Sequence, residues 1–225
     1  MIRRAPALAA LVALLLLAGC GGSAGGEEGT ARLWVTRDRG AELLVDTEVD
    51  ADQTLLRALA AAADVETRYG GRFIQSVNGL DGSLGAQRDW FWFVNGYEGD
   101  RSAASYRLRE GDVAWVDYRA WEREGEARVV VGAFPEPFLH GWDGETRPAV
   151  VRYQGSRKEA RRLGSRIGAV SIEPLGTPVP AGANVLELRP GADAARAELL
   201  GETAGGPVRV VFHGKPDPTR RFEVP

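Results

Sequence analysis

The segment Trp90-Phe91-Trp92-Phe93-Val94-Asn95-Gly96 decides the fold of the first half of this 225-residue chain. Its rings alternate between Trp and Phe, so they point to opposite faces if the segment is a β-strand. Asn-Gly is the strongest short signal for a tight hairpin turn. A strand with large rings on both sides needs a layer on each face, or a surface at which another molecule docks.

The overall composition is that of a globular protein, with 44% hydrophobic and 26% charged residues. Without Arg3 and Arg4 in the amino-terminal segment, the 28 basic residues become 26 against 31 acidic ones, a net charge of about −5. This balance argues against nucleic acid as a partner and against a broadly basic membrane-binding surface. Cys20 is the only cysteine, which excludes a disulfide within one chain.

The amino terminus has the pattern of a secretory signal, with a basic start, an apolar run over residues 8–17 and then Leu17-Ala18-Gly19-Cys20. The apolar run is about half of the ~20 residues that a membrane-spanning helix needs. Leu-Ala-Gly-Cys also resembles the lipobox of bacterial lipoproteins, which implies cleavage before Cys20 and diacylglycerol on its sulfur. The alternative is an ordinary signal peptide that leaves a free thiol.

We therefore expect a lipoprotein signal peptide over residues 1–19 and a flexible tether, rich in Gly, over residues 20–29. The mature protein would then be extracytoplasmic and anchored to the cell membrane through lipid on Cys20.

The first predicted domain covers residues 30–123. Alternation of apolar and polar residues predicts a hairpin of two strands, over 31–36 and 43–49. An apolar stripe with helical spacing follows Asp50 and Gln53, which are spaced as a capping box, and predicts a helix. Further strands are predicted over 73–77, 90–94 and 113–121. Two strands, one crossing helix and then more strands is the order of a β-grasp sheet.

Four motifs in this region carry a resemblance to a known family. They are the segments 52–59, 69–79, 90–96, and 106–108 with 110–115. In this order they resemble the transcobalamin-like carboxy-terminal domain family, over residues 31–121. That bacterial family, a domain of unknown function, is similar to the β domain of transcobalamin and intrinsic factor and to SLBB-type β-grasp modules.

The resemblance implies a β-grasp fold and points to cobalamin or another corrinoid as a ligand. In the vitamin carriers, cobalamin is held between this domain and a separate helical barrel, and nothing in this sequence resembles the barrel. The resemblance therefore implies either that the domain works with another protein or that it has kept only the scaffold.

The predicted ligand-binding residues are Trp90, Trp92, Asn95, Tyr97 and Trp115. The segment from Trp90 to Tyr97 combines flat apolar surface with a turn that exposes backbone amides, and Trp115 lies on the last predicted strand. The alternative is that these rings fill the two sides of a small core.

The second predicted domain covers residues 124–225. Strands are predicted over 128–133, 149–153, 169–173, 185–188 and 208–212, with helices over 156–167 and 193–200. The order β-α-β-β-α-β, from residue 149 onward, is typical of a ferredoxin-like split βαβ sheet, which gives an α+β protein of two domains. That fold hosts many unrelated functions. Basic residues on the outer face of the first helix either bind an anionic partner or are simply solvated.

No catalytic chemistry is evident in the sequence. His140 and His213 are the only histidines, and neither has a Cys or acidic neighbour at metal-ligand spacing, so we expect no metal site. No Ser, Cys or Lys lies in an activating setting, and we therefore expect no enzyme, no catalytic residue and no cofactor.

Two functions fit these observations. The first is a non-catalytic surface lipoprotein that binds a small ligand with a hydrophobic face and presents it to a membrane importer. Cobalamin or another corrinoid is favoured only through the resemblance. The alternative is an envelope adhesion or assembly module that binds a protein or polysaccharide.

Overall fold

The computed structural model describes residues 29–121 and 128–215, in which the protein is mainly β-sheet with two helices. The signal peptide, Cys20 and nearly all of the tether lie outside the described residues, so they stay predictions. Among the helices of the described ranges, none has the length and apolar character that crossing a membrane requires.

The elements follow one another in a simple order. The first part contains β1 (Thr30–Arg37), β2 (Glu42–Asp50), α1 (Leu55–Ala62), β3 (Val65–Arg68), β4 (Phe73–Val77), β5 (Leu80–Asp81), β6 (Arg88–Val94), β7 (Tyr97–Glu98) and β8 (Val113–Ala120). The second part contains β9 (Ala149–Tyr153), α2 (Arg157–Arg166), β10 (Ser171–Pro174), β11 (Asn184–Arg189), β12 (Ala194–Leu199) and β13 (Val208–His213).

The first sheet has the strand order β2-β1-β8-β6-β7, with β1 parallel to β8 and the other neighbours antiparallel. The predicted hairpin, the helix and the strand at 90–94 are confirmed. Asn95 and Gly96 have φ angles of 51° and 84°, as a type I′ turn between β6 and β7 requires. The aromatic segment pairs with β8 along its whole length and with β7 only at Phe93 and Val94.

Both faces of β6 are covered. Trp90 and Val94 face the main hydrophobic core, which includes Leu55 of α1, while Phe93 faces a second cluster with Trp34 and Trp115. This packing follows from the alternation of side chains along a strand.

A smaller sheet, β3-β4-β5, lies beside the first one. Two ring donors hold β5 in place, since Trp90 Nε1 donates to the carbonyl of Leu80 and the Tyr118 hydroxyl donates to that of Asp81, both at 2.9 Å. The strands β3 and β5 were not predicted, because their few residues carry no periodic pattern.

The predicted capping box of α1 is wrong. Thr54 is the N-cap, and its side chain accepts a hydrogen bond from the backbone N–H of Arg57. Asp52 has a φ of 60°, a left-handed conformation that a helix cannot continue through, so the helix begins only after that residue.

The second sheet has the order β10-β9-β11-β13-β12, and three of its four strand pairs are parallel. The ferredoxin-like order predicted for residues 124–225 does not form, because the segment 193–200 is the strand β12 and not a helix. Alternate residues of β12, Ala195 and Ala197 among them, pack on the core, so a two-residue period overrides the helical propensity of alanine. The strand predicted over 128–133 is reduced to isolated bridge residues, Val129 and Val131, of which Val129 pairs with Tyr97.

The helix α2 begins as predicted, since the Ser156 side chain accepts a hydrogen bond from the backbone N–H of Glu159 at 3.2 Å. Its predicted inner residues Ala160, Leu163 and Ile167 are buried. They belong to one continuous core that also contains residues of the first sheet. The predicted boundary at residue 123 lies in the segment 122–127, outside the described residues.

Candidate functional site

The structure buries four of the five predicted ligand-binding residues. Trp90, Asn95, Tyr97 and Trp115 expose at most 4% of their surface, whereas Trp92 is half-buried. None of these four side chains forms an exposed contact surface, because each packs or hydrogen-bonds inside the protein, and its ligand-binding role stays a prediction. A ligand-binding role for Trp92 stays a prediction.

Asn95 holds three chain segments together. Its Nδ2 donates to Asp112 Oδ1 and to the carbonyl of Gly141, both at 2.7 Å, and its Oδ1 accepts from the backbone N–H of Val113 at 2.8 Å. The other oxygen of Asp112 accepts from the N–H of Arg109 at 2.9 Å. The side-chain amide of Asn95 is thus committed to internal bonds that fix the β6–β7 turn against two loops.

Trp115 belongs to a buried hydrogen-bond chain on the other face of the sheet. Its Nε1 donates to Thr36 Oγ1 at 2.7 Å, and that hydroxyl donates to Asp117 Oδ1 at 2.5 Å. Asp117 Oδ2 accepts from Arg119 Nε at 2.7 Å, and the guanidinium lies 4.6 Å from the centre of the Phe93 ring. Burial lowers the pKa of Arg119. This face carries a sealed ion pair and not an open binding surface.

Four rings meet between the two sheets, and we call Trp92, Tyr97, Tyr106 and Trp142 the junction cluster. Trp142 stacks on Trp92 with the ring centres 6.0 Å apart and the planes at 21°, and its centre lies 4.7 Å from that of Tyr106. The Tyr97 hydroxyl donates to the carbonyl of Gly206 at 2.9 Å. Burial raises the pKa of Tyr97 and that of Tyr106, so both phenols are neutral at physiological pH.

Arg101 caps the junction cluster with positive charge. Its guanidinium carbon lies 5.5 Å from the ring centre of Trp142 and 5.7 Å from that of Tyr106, a cation–π arrangement. It also forms ion pairs with Asp100 at 2.7 Å and Asp143 at 2.5 Å. The hydrogen bond to Asp100 is the largest cause of its raised pKa. Solvent therefore reaches the junction cluster where the half-buried Trp92 and the 38%-exposed side chain of Arg101 lie.

The sequence predicted two members of this cluster, Trp92 and Tyr97, and missed the other two, Tyr106 and Trp142, as well as Arg101 beside them. Gly99 shows how close the packing is, because a Cβ on it would collide with the Trp92 indole. Gly99, in the segment Tyr97-Glu98-Gly99, was the one local sign that the backbone passes close to an aromatic ring. No spacing rule connects Trp92 with Trp142, which is 50 residues further along the chain.

A second polar group lies near the turn fixed by Asn95. Glu136 is buried, and its carboxylate accepts from the backbone N–H of His140 at 2.9 Å and contacts His140 Nδ1 at 2.6 Å. Burial raises the pKa of Glu136, and the charge of the buried Asp112 raises it further. The pairing of Glu136 with His140 was not predicted. Within residues 29–121 and 128–215, no three His, Cys, Asp or Glu side chains are arranged to hold a metal ion.

Glu136→Gln is expected to increase the stability of the protein relative to wild type as the pH rises above the ordinary Glu value of 4.5. A carboxyl whose folded-state pKa is raised binds more protons when folded than when unfolded, so ionisation opposes folding through that pH window. Glutamine can still accept from the N–H of His140 and donate to its Nδ1. The measurement is the free energy of unfolding in urea from about pH 4 to pH 7.

The matched control is Glu42→Gln, at an exposed carboxylate that pairs with Arg37. The two stability curves of Glu136→Gln and wild type should coincide below about pH 4, where both side chains are uncharged. Curves that stay parallel from pH 4 to pH 7 would contradict the proposed cost of ionising Glu136.

Comparison with known proteins finds partial similarities. The family described as "Domain of unknown function (DUF4430)" matches residues 52–120, less than a third of the chain. No curated protein is similar enough to count as a relative.

Two solved structures are similar over part of the chain. One is haptocorrin in complex with Cbi, at 17% identity and a TM-score of 0.35, covering 42% of this chain and 26% of that one. The other is a candidate metal-binding protein from Ruminococcus gnavus, at 22% identity and a TM-score of 0.34, covering 44% of this chain and 100% of that one. This chain therefore spans about a quarter of haptocorrin, and it is similar to a domain of unknown function in its first half.

Proposed function

We propose that this chain is a non-catalytic, membrane-anchored protein that binds a small ligand with a flat hydrophobic face at the junction cluster. The observation that carries the proposal is the position of Trp142, which stacks on the half-buried indole of Trp92 and lies 5.5 Å from the exposed guanidinium of Arg101. The flat apolar surface of the indoles would bind a ring face of the ligand. Arg101 and its two carboxylate partners, Asp100 and Asp143, would orient the polar substituents of the ligand.

The proposed ligand class is cobalamin or another corrinoid, and it comes from the resemblance of residues 31–121 to the transcobalamin-like family. We interpret the first sheet as a β-grasp sheet, an interpretation supported by its hairpin, its crossing helix and its parallel β1–β8 pair. The second part of the chain supplies Trp142, and so takes the place of a separate partner domain at the junction. The anchor on Cys20 would hold the protein where an importer can receive the ligand.

Titration with cyanocobalamin is expected to quench the tryptophan fluorescence beyond the inner-filter effect, because a corrin ring at Trp92 would also lie close to Trp142. Trp92→Ala should weaken binding about two- to tenfold, as the loss of one stacking contact predicts. The matched control is Trp121→Ala, since Trp121 is 41% exposed and lies just after β8.

The two possible failures of this titration are distinguishable. Absence of specific quenching in the wild type would end the corrinoid proposal. Equally strong binding in wild type and Trp92→Ala would instead support the proposed ligand and contradict the junction cluster as its site.

A further inference from the structure

The tip of the β3–β4 hairpin carries two neighbouring aromatic side chains that face solvent. Tyr69 is 77% exposed and Phe73 is 41% exposed, with their ring centres 6.4 Å apart and their planes at 78°. Soluble proteins scatter single exposed apolar residues, whereas an exposed aromatic pair marks a contact with another molecule or a membrane. This pair lies outside the junction cluster and has no part in the proposed ligand site.

The turn of the hairpin is open around its two glycines. Tyr69, Gly70 and Gly71 have φ angles of 53°, 69° and 83°, and a left-handed conformation is unfavourable for a residue with a Cβ such as Tyr69. A Cβ on either glycine would meet nothing within 4 Å, so solvent surrounds the turn at these two positions, while the carbonyl of Arg72 accepts a hydrogen bond from Ser102 Oγ at 2.7 Å. Small-molecule sites are concave, and a projecting tip is suited to entering another phase or surface instead.

The charge of the tip is positive. The segment 68–75 contains Arg68 and Arg72 and no acidic residue. The guanidinium of Arg68 lies 5.5 Å from the Phe73 ring centre and 3.8 Å from a carboxylate oxygen of Asp89. Arg72 is exposed and forms no ion pair with any residue that the structure describes. Aromatic rings flanked by arginine are the composition that favours the interface of an anionic bilayer.

We propose that the β3–β4 tip inserts Tyr69 and Phe73 into the headgroup region of an anionic bilayer, with Arg72 binding lipid phosphate. A bilayer fits this tip better than a protein groove does, because the tip combines a convex shape, ring surface and unpaired positive charge. The inference rests on the membrane location in the proposed function and is independent of the proposed ligand. Insertion would fix the orientation of the protein on the membrane, which a flexible tether alone leaves free.

The test places an environment-sensitive dye at the tip of the full chain. Tyr69→Cys is labelled with a nitrobenzoxadiazole dye in a Cys20→Ser background, which leaves one thiol for the label and removes the proposed lipid anchor, so that any floated protein is held by its own surface. The matched control is Val170→Cys, because Val170 is 73% exposed and lies between α2 and β10. Both proteins are mixed with vesicles of phosphatidylcholine, with or without phosphatidylglycerol, and the floated fraction is examined.

We expect a blue shift and an intensity gain at position 69 on vesicles with phosphatidylglycerol, and neither at position 170. Phe73→Ser should reduce the shift, and Arg72→Gln should reduce its dependence on phosphatidylglycerol. The dye reports its own position whichever segment holds the protein on the vesicle. A water-like emission at position 69, an equal shift at position 170, or no floated protein would each overturn the proposal. Cyanocobalamin quenching is measured without vesicles, so the two proposals fail separately.

Discussion

Replacing Asp117 with alanine is expected to destabilise the protein by about 3–5 kcal/mol, the cost of removing one partner from a buried ion pair. Asp117 is fully buried and accepts hydrogen bonds from Thr36, from Arg119 and from the backbone N–H groups of Arg39 and Gly40. Alanine would leave the buried Arg119 guanidinium without its carboxylate, beneath aromatic rings. The measurement is urea denaturation followed by circular dichroism.

Glu42→Ala is the control for Asp117→Ala, because Glu42 pairs with Arg37 at 2.9 Å but is 53% exposed. An exposed pair of this kind is worth about 0–1 kcal/mol. The double variant Asp117→Ala with Arg119→Met should recover part of the loss, since it removes the stranded charge. If Asp117→Ala costs no more than Glu42→Ala, the pair does not stabilise the first sheet.

Trp142→Ala is expected to cost about 3–5 kcal/mol, the usual range for removing a large buried ring. The indole is 4% exposed and packs against Trp92, Tyr97 and Tyr106 at once. Because the junction cluster belongs to a core that continues into both sheets, the loss should lower the stability of the whole molecule. Urea denaturation gives the free energy, and near-ultraviolet circular dichroism reports the ring packing.

For the Trp142→Ala experiment, Trp121→Ala is the control, and it should cost about 1 kcal/mol or less because its ring is partly exposed. The free-energy cost of Trp142→Phe should lie between that of Trp121→Ala and that of Trp142→Ala. A Trp142→Ala protein that unfolds in two separate steps, with one step unchanged from wild type, would show that the junction does not couple the two sheets.

Local patterns predicted the centre of the first sheet. The period of two around Trp92 and the turn chemistry of Asn95-Gly96 depend only on neighbouring residues, and the structure confirms both. The helix predicted over 193–200 is wrong. The alanines of this segment favour a helix locally, and only pairing with β13 makes it a strand.

The candidate site was less predictable than the sheet. Alternation along the predicted strand 113–121 places Trp115, Asp117 and Arg119 on one face, but no local pattern indicates that Thr36, 81 residues before Asp117, bonds to that carboxylate. Trp142 contacts Trp92 only because the second sheet packs against the first. The residue pattern along one strand cannot predict a contact between two distant parts of the chain. Burial of Trp90 and Tyr97 likewise depends on elements that come before and after them in the chain.

The position of β1 between β2 and β8 has a mechanical consequence. Tension that reached the folded part through residue 29 would pull β1 along its own axis. The hydrogen bonds from β1 to both neighbouring strands lie across that axis. They would resist the tension together, in shear, and would not break one after another. If the chain is anchored at Cys20 as we propose, tension would thus enter the first sheet at a strand that is hydrogen-bonded on both sides.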